Sequence, residues 1–441
     1  MSIAKNISSS FFYQIGITLH NFIATIIITR LIGPNGRGDI AIYNNAVAIA
    51  TTFFSFSLGS AIVHFVASKK MTPQQAFSNI LAALLLSFLI LCIAITIAYY
   101  CGVQYTITPF ANTYSILIMF ATHVIFTILN LNLSALLNAK DNFIFPLQLQ
   151  LANLLILLCG LYAVTLANIT NPLVVTTYIV YCIVFLNTLQ VIILLFYSAR
   201  QLEISFYNLS WNKLLSKQLF AFSALAFLCN IVQILSYRMD LWFLQHYQTS
   251  AIVGVYSIAV LFVQMLWILP NQFSNVLYTK FNQLLDNTKT IIFILNINAI
   301  TFWACLILFT VAWGISYVVI PFLFGTAFSE SAKLLGILLL GAIPIASALI
   351  ISTFNASKRQ LVVNLKGSII GLILCLILNA ILIPKYGYYG AAFASAISYL
   401  GNCIFLYSHF SITYQINWKA LFLPDWNYIK NIKQHWHELQ Q

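Results

Sequence analysis

Long apolar runs alternate with short polar breaks along the whole chain. A run of about 20 apolar residues is long enough, as a helix, to cross a hydrocarbon core roughly 30 Å thick. Inside lipid the backbone must satisfy its own hydrogen bonds, so these runs are helices. The alternating ten-residue pattern of barrel strands is missing. Twelve spans are predicted, near 11–32, 40–67, 77–100, 113–137, 147–167, 173–198, 218–246, 251–278, 291–322, 332–354, 362–383 and 388–413. The run 291–322 is long enough to suggest two passes.

Charge decides that point, because loops on the cytoplasmic side collect Lys and Arg. With the N-terminus inside and twelve spans, the inside positions are Lys5, Lys69, Lys70, Lys140, Arg200, Lys213, Lys217, Lys280, Lys289, Lys358, Arg359, Lys366, Lys419, Lys430 and Lys433. The outside set is only Arg30, Arg37, Arg238, Lys333 and Lys385. Splitting 291–322 would move Lys358, Arg359, Lys366 and the basic tail outside. One pass is therefore expected there, with both termini cytoplasmic.

Composition agrees: 61% of the 441 residues are hydrophobic and 6% charged, against roughly 25% charged in a soluble domain. Topology accounts for the net charge of +12, so a nucleic-acid partner is not needed. The first apolar segment is too long for a cleaved signal. Eight cysteines lie scattered through the apolar runs, none in a CxxC pair, and read as small hydrophobes. No loop is long; the widest gap is 199–217. The tail, with Trp418, Trp426 and Trp436, is polar, basic and aromatic, as expected of a segment on the cytoplasmic membrane surface. Any function must then be intramembrane.

A six-span unit ends on the side where it began, so twelve spans suit two parallel repeats. Tyr43-Asn44-Asn45-Ala46-Val47 opens the second span and Tyr256-Ser257-Ile258-Ala259-Val260 the eighth, each after a polar, Gly-containing turn. The expected fold is an all-α integral membrane protein with twelve transmembrane helices in two pseudo-symmetric six-helix bundles around a central cavity. The bundles are expected at 1–204 and 205–413, with an amphipathic tail at 414–441.

Four motifs carry a resemblance to a known family. Arg30-Leu31-Ile32-Gly33-Pro34-Asn35-Gly36-Arg37-Gly38 resembles the RLLGPxxYG turn after the first helix of bacterial polysaccharide flippases. Tyr237-Arg238-Met239-Asp240, followed by Val253-Gly254-Val255-Tyr256-Ser257-Ile258-Ala259, resembles their seventh-to-eighth helix stretch. Pro321 to Gly325 is similar to the PxLFG ending of the ninth helix. Asn379 to Gly387, continuing through Gly390-Ala391-Ala392, is similar to the signature N-x-I-L-I-P-K-Y-G-x-x-G-A-A. The chain thus resembles the Wzx-type flippases of the multidrug/oligosaccharidyl-lipid/polysaccharide exporter superfamily. The resemblance implies a substrate, an undecaprenyl-pyrophosphate-linked oligosaccharide repeat unit. It also implies a place, the bacterial inner membrane, and a role in O-antigen (lipopolysaccharide) or capsule assembly. A polysaccharide polymerase and a chain-length regulator are the implied partners beside the bilayer. Flippases for the peptidoglycan precursor carry several arginines in the first helix and often fourteen spans. This chain has Arg30 alone there and twelve spans, which argues against that substrate.

Charges inside membrane helices are costly, so each is a functional candidate. Arg30, at the outer end of the first span, can bind pyrophosphate oxygens bidentately or snorkel to headgroups. Arg238 and Asp240 form the deepest charge pair; two residues apart on a helix, they do not face each other. Lys366 sits about one turn into the eleventh span, placed for an anion or for the cytoplasmic surface. Arg37 lies in a Gly-rich turn that lacks the lysine of a phosphate-cradling loop. His20, His64 and His123 suit packing better than proton transfer. Amides are common in the spans, and serve either a polar lumen for sugar hydroxyls or as interhelical glue. Asn21, Asn230 and Gln233 are the ones expected in the cavity. Pro270, Gly341 and Pro344 interrupt apolar runs and mark expected bending points.

Two rivals stand beside flipping. A multidrug or cation exporter of the same superfamily generally needs a buried carboxylate in the first or seventh helix, and only Asp240 offers one. An O-antigen polymerase or ligase needs a large outside loop or paired acids, and neither occurs. No catalytic residue, metal site or cofactor is expected, and the chain reads as a transporter, not an enzyme.

Overall fold

The computed structural model describes residues 3–100, 114–166, 171–281 and 288–425. Every regular element among them is helical. The long helices are α1 (Ile3–Phe54), α2 (Leu58–Ala67), α3 (Pro73–Tyr100), α4 (Tyr114–Asn138), α5 (Ile144–Leu166) and α6 (Pro172–Gln201). They continue with α7 (Lys213–Tyr247), α8 (Ser250–Phe281), α9 (Thr288–Phe324), α10 (Glu330–Ser357) and α11 (Leu361–Tyr414). Single 3-10 turns follow α9 and α11.

Ten of these helices are long and apolar enough to cross a membrane. Two cannot be single passes. α1 has 52 residues and α11 has 54; at 1.5 Å per residue each would measure about 80 Å, far beyond a roughly 30 Å core. Each breaks at a glycine. Gly33 takes φ 65°, ψ −170° and Gly387 takes φ 55°, ψ −133°, conformations that a Cβ opposes. At the second break the chain folds back on itself. A Cβ on Gly390 would lie 2.3 Å from the carbonyl oxygen of Leu382, a residue about 12 Å away along an unbroken helix. At the first, a Cβ on Gly36 would lie 2.6 Å from that of Ile32, well inside the usual 5–6 Å at this spacing. Counting both breaks, the helices make the twelve passes read from the sequence. The long run 291–322 is one helix, α9.

The second pass departs from its expected form. It is interrupted at residues 55–57, where Phe56 and Ser57 take φ 48° and 50°, and the chain restarts as α2. The stretch 51–60 carries Thr51, Thr52, Ser55, Ser57, Gly59 and Ser60 among its apolar residues, but no proline.

The helices are inside-out relative to those of a soluble protein. The outer face of α3 presents Leu85, Leu86, Phe88, Leu89, Ile93 and Ile97. Its buried face mixes Ala76, Ser78, Asn79, Ala83 and Ser87 with leucine and isoleucine. Lipid rewards the first face, and close helix packing through small residues the second.

The chain forms two compact units, Met1–Ile234 and Leu235–Gln441, so α7 begins in the first and ends in the second. In the first unit α1 packs on α5 and α6, while α4 packs on α2, α3 and α6. In the second unit α10 is enclosed by α8, α9 and α11. Its glycine at 341 is fixed by that packing: a Cβ there would lie 2.3 Å from the carbonyl oxygen of Ala396. Gly341, one of the bending points expected from the sequence, lies at a close approach of two helices. The start of the tail docks on α9, where Asn298 and Trp303 donate to the carbonyls of Leu421 and Phe422 at 2.9 and 2.8 Å. Trp426 and Trp436 lie outside the described residues.

Candidate functional site: a polar cavity and a buried carboxylate

Within the first unit, α4, α5 and α6 line an open-sided cavity of about 620 Å³, within the range of ordinary ligand pockets. α4 lines it from His123, through Thr127, Asn130 and Ser134, to Asn138. These positions recur at three or four residues, so they share one face of the helix. α5 contributes Gln150 and Asn153, and α6 contributes Asn187 and Gln190. Fifteen residues of α4 separate its ends, so the cavity runs about 22 Å along the helix. Leu131, Leu154, Leu157 and Leu186 supply apolar wall, and Phe143 stands near the Asn138 end.

Several of these amides are braced by one another. Asn153 Nδ2 donates to Gln190 Oε1 at 2.8 Å and to the carbonyl of Leu186 at 3.0 Å. Asn187 Nδ2 donates to Thr127 Oγ1 at 2.9 Å, and Ser134 Oγ to Asn130 Oδ1 at 3.3 Å. At the deep end the Tyr43 hydroxyl meets His123 Nδ1 at 3.0 Å, and the two rings stack at 5.7 Å. Among the described residues no lysine, arginine, aspartate or glutamate lines the cavity.

The second unit holds a different arrangement. Asp240, 3% exposed, accepts the Tyr256 hydroxyl at 2.6 Å and Ser395 Oγ at 3.1 Å on Oδ2, and the Leu241 amide at 2.8 Å on Oδ1. One carboxylate thereby ties α7, α8 and α11 together. Beside it, Tyr237, Trp267 and Tyr399 form a three-ring cluster with centroids 5.4–5.6 Å apart. Arg238 is half-buried and interacts electrostatically with Asp240.

The other sequence-derived candidates are distributed between the units. Arg30 and Asn21 are exposed on the first arm of α1, and Gln233 is exposed on α7. Asn230 donates to Ser57 Oγ at 2.9 Å, at the break in the second pass. Lys366 is exposed near the start of α11. None of these residues lines the α4–α6 cavity. Of the residues that line this cavity, His123 is singled out in the sequence, and Asn153, Asn187, Asn138 and Gln150 are not. The signal that finds them is helical spacing of amides: Asn187 with Gln190 on α6, and Gln150 with Asn153 on α5. His20 bonds the carbonyl of Gly16 at 2.8 Å, and His64 stacks on Phe222 at 4.9 Å. Of the cysteines, Cys305, Cys375 and Cys403 are buried, Cys92, Cys182 and Cys229 half-buried, and Cys159 exposed; Cys101 lies outside the described residues. Among the described residues no cluster of His, Cys, Asp and Glu is suited to a metal ion.

No curated protein sequence matches the chain. Solved structures do. The lipid II flippase MurJ in an inward closed conformation shares 16% identity at a TM-score of 0.71, covering 95% of this chain and 89% of that one. An inward-facing multidrug resistance MATE family transporter of the MOP superfamily shares 12% identity at 0.62, covering 90% and 95%. The MATE multidrug transporter DinF-BH shares 14% at 0.61, covering 96% and 97%. At such identities the likeness is one of fold. A family model described as polysaccharide biosynthesis protein matches residues 3–285, more than half of the sequence, and the chain belongs to that family.

Proposed function

We propose that this protein is a Wzx-type flippase. It moves undecaprenyl-pyrophosphate-linked oligosaccharide repeat units from the cytoplasmic to the periplasmic leaflet of the bacterial inner membrane. The route is alternating access, and the product feeds O-antigen or another surface polysaccharide. The observation that carries this reading is a cavity of about 620 Å³ with uncharged, amide-bearing walls in a bundle whose exterior is apolar. Membership of a polysaccharide biosynthesis family and likeness in fold to a lipid II flippase point the same way. In this reading Arg30, Arg238 and Lys366 attract the pyrophosphate, Asn21, Asn230 and Gln233 meet sugar hydroxyls, and the lipid tail stays in the bilayer. Both termini are cytoplasmic, the partners are a polymerase and a chain-length regulator, and the protein performs no covalent chemistry.

Export of cationic drugs is the second reading, favoured by the burial of Asp240 in the seventh pass. It is weakened because the oxygens of Asp240 already receive three donors.

The test is expression in a bacterium lacking its own O-antigen flippase, with the surface polysaccharide stained. Long-chain polysaccharide is expected with the wild type and lost with Arg30→Gln/Arg238→Gln at unchanged membrane abundance. Full transport by the double variant would remove those arginines from the site. Drug resistance without polysaccharide would favour the exporter.

A further inference from the structure

We infer that the α4–α6 cavity is a glycan subsite, one that takes uncharged sugar rings of the carried oligosaccharide and rejects acidic ones. The inference rests on the flippase reading for the identity of the cargo. The chemistry of the site rests on the cavity alone.

A void of about 620 Å³ separates this region from ordinary helix glue. Amides that only join helices need contact, and Asn153–Gln190 and Asn187–Thr127 already supply it. The cavity sets amides and hydroxyls among leucine, isoleucine and phenylalanine along its walls, so it matches a ligand with both polar rims and apolar faces. Asn138 and Gln150 line it as well and add two further amides to its walls. An amide offers two donors and an acceptor, and a sugar hydroxyl is both, so the two match in either direction.

Charge narrows the choice. A pyrophosphate or uronate would enter without a cationic partner, and a drug cation without a carboxylate, because no charged side chain lines the walls. Burying an unpaired charge is far more costly than burying a hydrogen-bonded hydroxyl. The shape agrees: a slot about 22 Å long suits a short linear glycan. Its leucines and Phe143 can cover the C–H faces of sugar rings while the amides meet the rims. The braced pairs hold their amides in place before a ligand arrives, which lowers the ordering cost of binding.

The test uses the full chain in lipid nanodiscs and saturation-transfer NMR. The probes are neutral trisaccharides of glucose, galactose and mannose, and trigalacturonate as the acidic counterpart. Saturation transfer is expected to at least one neutral probe, with trigalacturonate at least tenfold weaker. Asn130→Leu/Asn187→Leu should abolish it. Leu154→Trp, which fills the space and keeps every amide, should abolish it too. Thr177→Leu, on α6 outside the cavity, should leave it unchanged. Equal transfer to trigalacturonate, no transfer to any neutral probe, or transfer surviving both cavity variants would overturn the inference. The cellular assay separates the two levels. Neutral-sugar binding lost in the variants, with no flipping by the wild type, would sink the flippase reading and keep the polyol site. Flipping by the wild type, with cavity variants moving neutral and acidic repeat units in an unchanged ratio, would sink the subsite alone.

Discussion

Tyr256→Phe isolates one bond in the second unit. The phenyl ring keeps the volume of a side chain that is fully buried and removes only the hydroxyl that donates to Asp240 at 2.6 Å. That distance is typical of a hydroxyl bonded to an ionised carboxylate. Bonds to charged groups contribute about 1.5–3 kcal/mol, whereas an average interhelical bond in a membrane protein contributes about 0.6 and at most about 1.7. Oδ2 would keep only Ser395, at the longer 3.1 Å, in a site closed to water. The loss should therefore fall at the upper end, about 2 kcal/mol. Ser395→Ala should cost about 0.6 kcal/mol, since Tyr256 remains. Asp240→Leu removes the acceptor itself, so adding Tyr256→Phe to it should change little, giving a coupling near 2 kcal/mol. Reversible unfolding by SDS titration in mixed micelles measures all four variants. A cost below about 0.5 kcal/mol for Tyr256→Phe, or simple additivity in the double variant, would refute a carboxylate held chiefly by that tyrosine.

Glycine substitutions should separate by neighbourhood. Gly341→Ala drives a Cβ into the backbone of Ala396 and should cost about 1–3 kcal/mol; Gly314→Ala, with nothing within 4 Å, should be neutral or stabilising by up to about 1 kcal/mol, both read by the same titration. Gly33→Ala and Gly387→Ala force a side chain into positive-φ turns and should cost about 1–3 kcal/mol each, seen as lower yield of monodisperse protein in detergent. A C-terminal green fluorescent protein fusion should fluoresce and an alkaline phosphatase fusion should be inactive; active phosphatase would overturn the cytoplasmic placement of that end.

The number of passes was legible because two strong regularities act together. Hydrocarbon thickness sets the length of each run, and the cytoplasmic excess of Lys and Arg decides whether 291–322 crosses once or twice. The turns at Gly33 and Gly387 were also legible, since each motif puts a glycine beside a proline-bearing helix end. The break at Phe56 and Ser57 was not. Neither residue is a glycine or proline, yet both take the left-handed conformation. The polar cavity was legible only in part. A single amide in a membrane span carries no direction, and whether it faces lipid, a neighbour or a void depends on helix rotation. Three helices must be rotated correctly at once before Asn130, Asn153, Asn187 and Gln190 meet around one space.

The two tyrosines that opened the repeat motifs show how far a short match can be trusted. Tyr43 and Tyr256 are both fully buried, and each hydroxyl is held by a titratable side chain of its own unit: His123 for Tyr43, Asp240 for Tyr256. A chance YxxAV match does not require either property. A tyrosine buried in a membrane bundle must find a partner for its hydroxyl, and the same position in two units solves that problem in the same way. The partners differ in charge type and in the pass that carries them, α4 in one and α7 in the other. One unit has an amide-bearing, uncharged cavity beside its tyrosine, and the other packs around a carboxyl group. On this argument the two units meet one packing demand with different chemistry: the first beside an amide-bearing cavity, the second around a carboxyl group that ties three helices together.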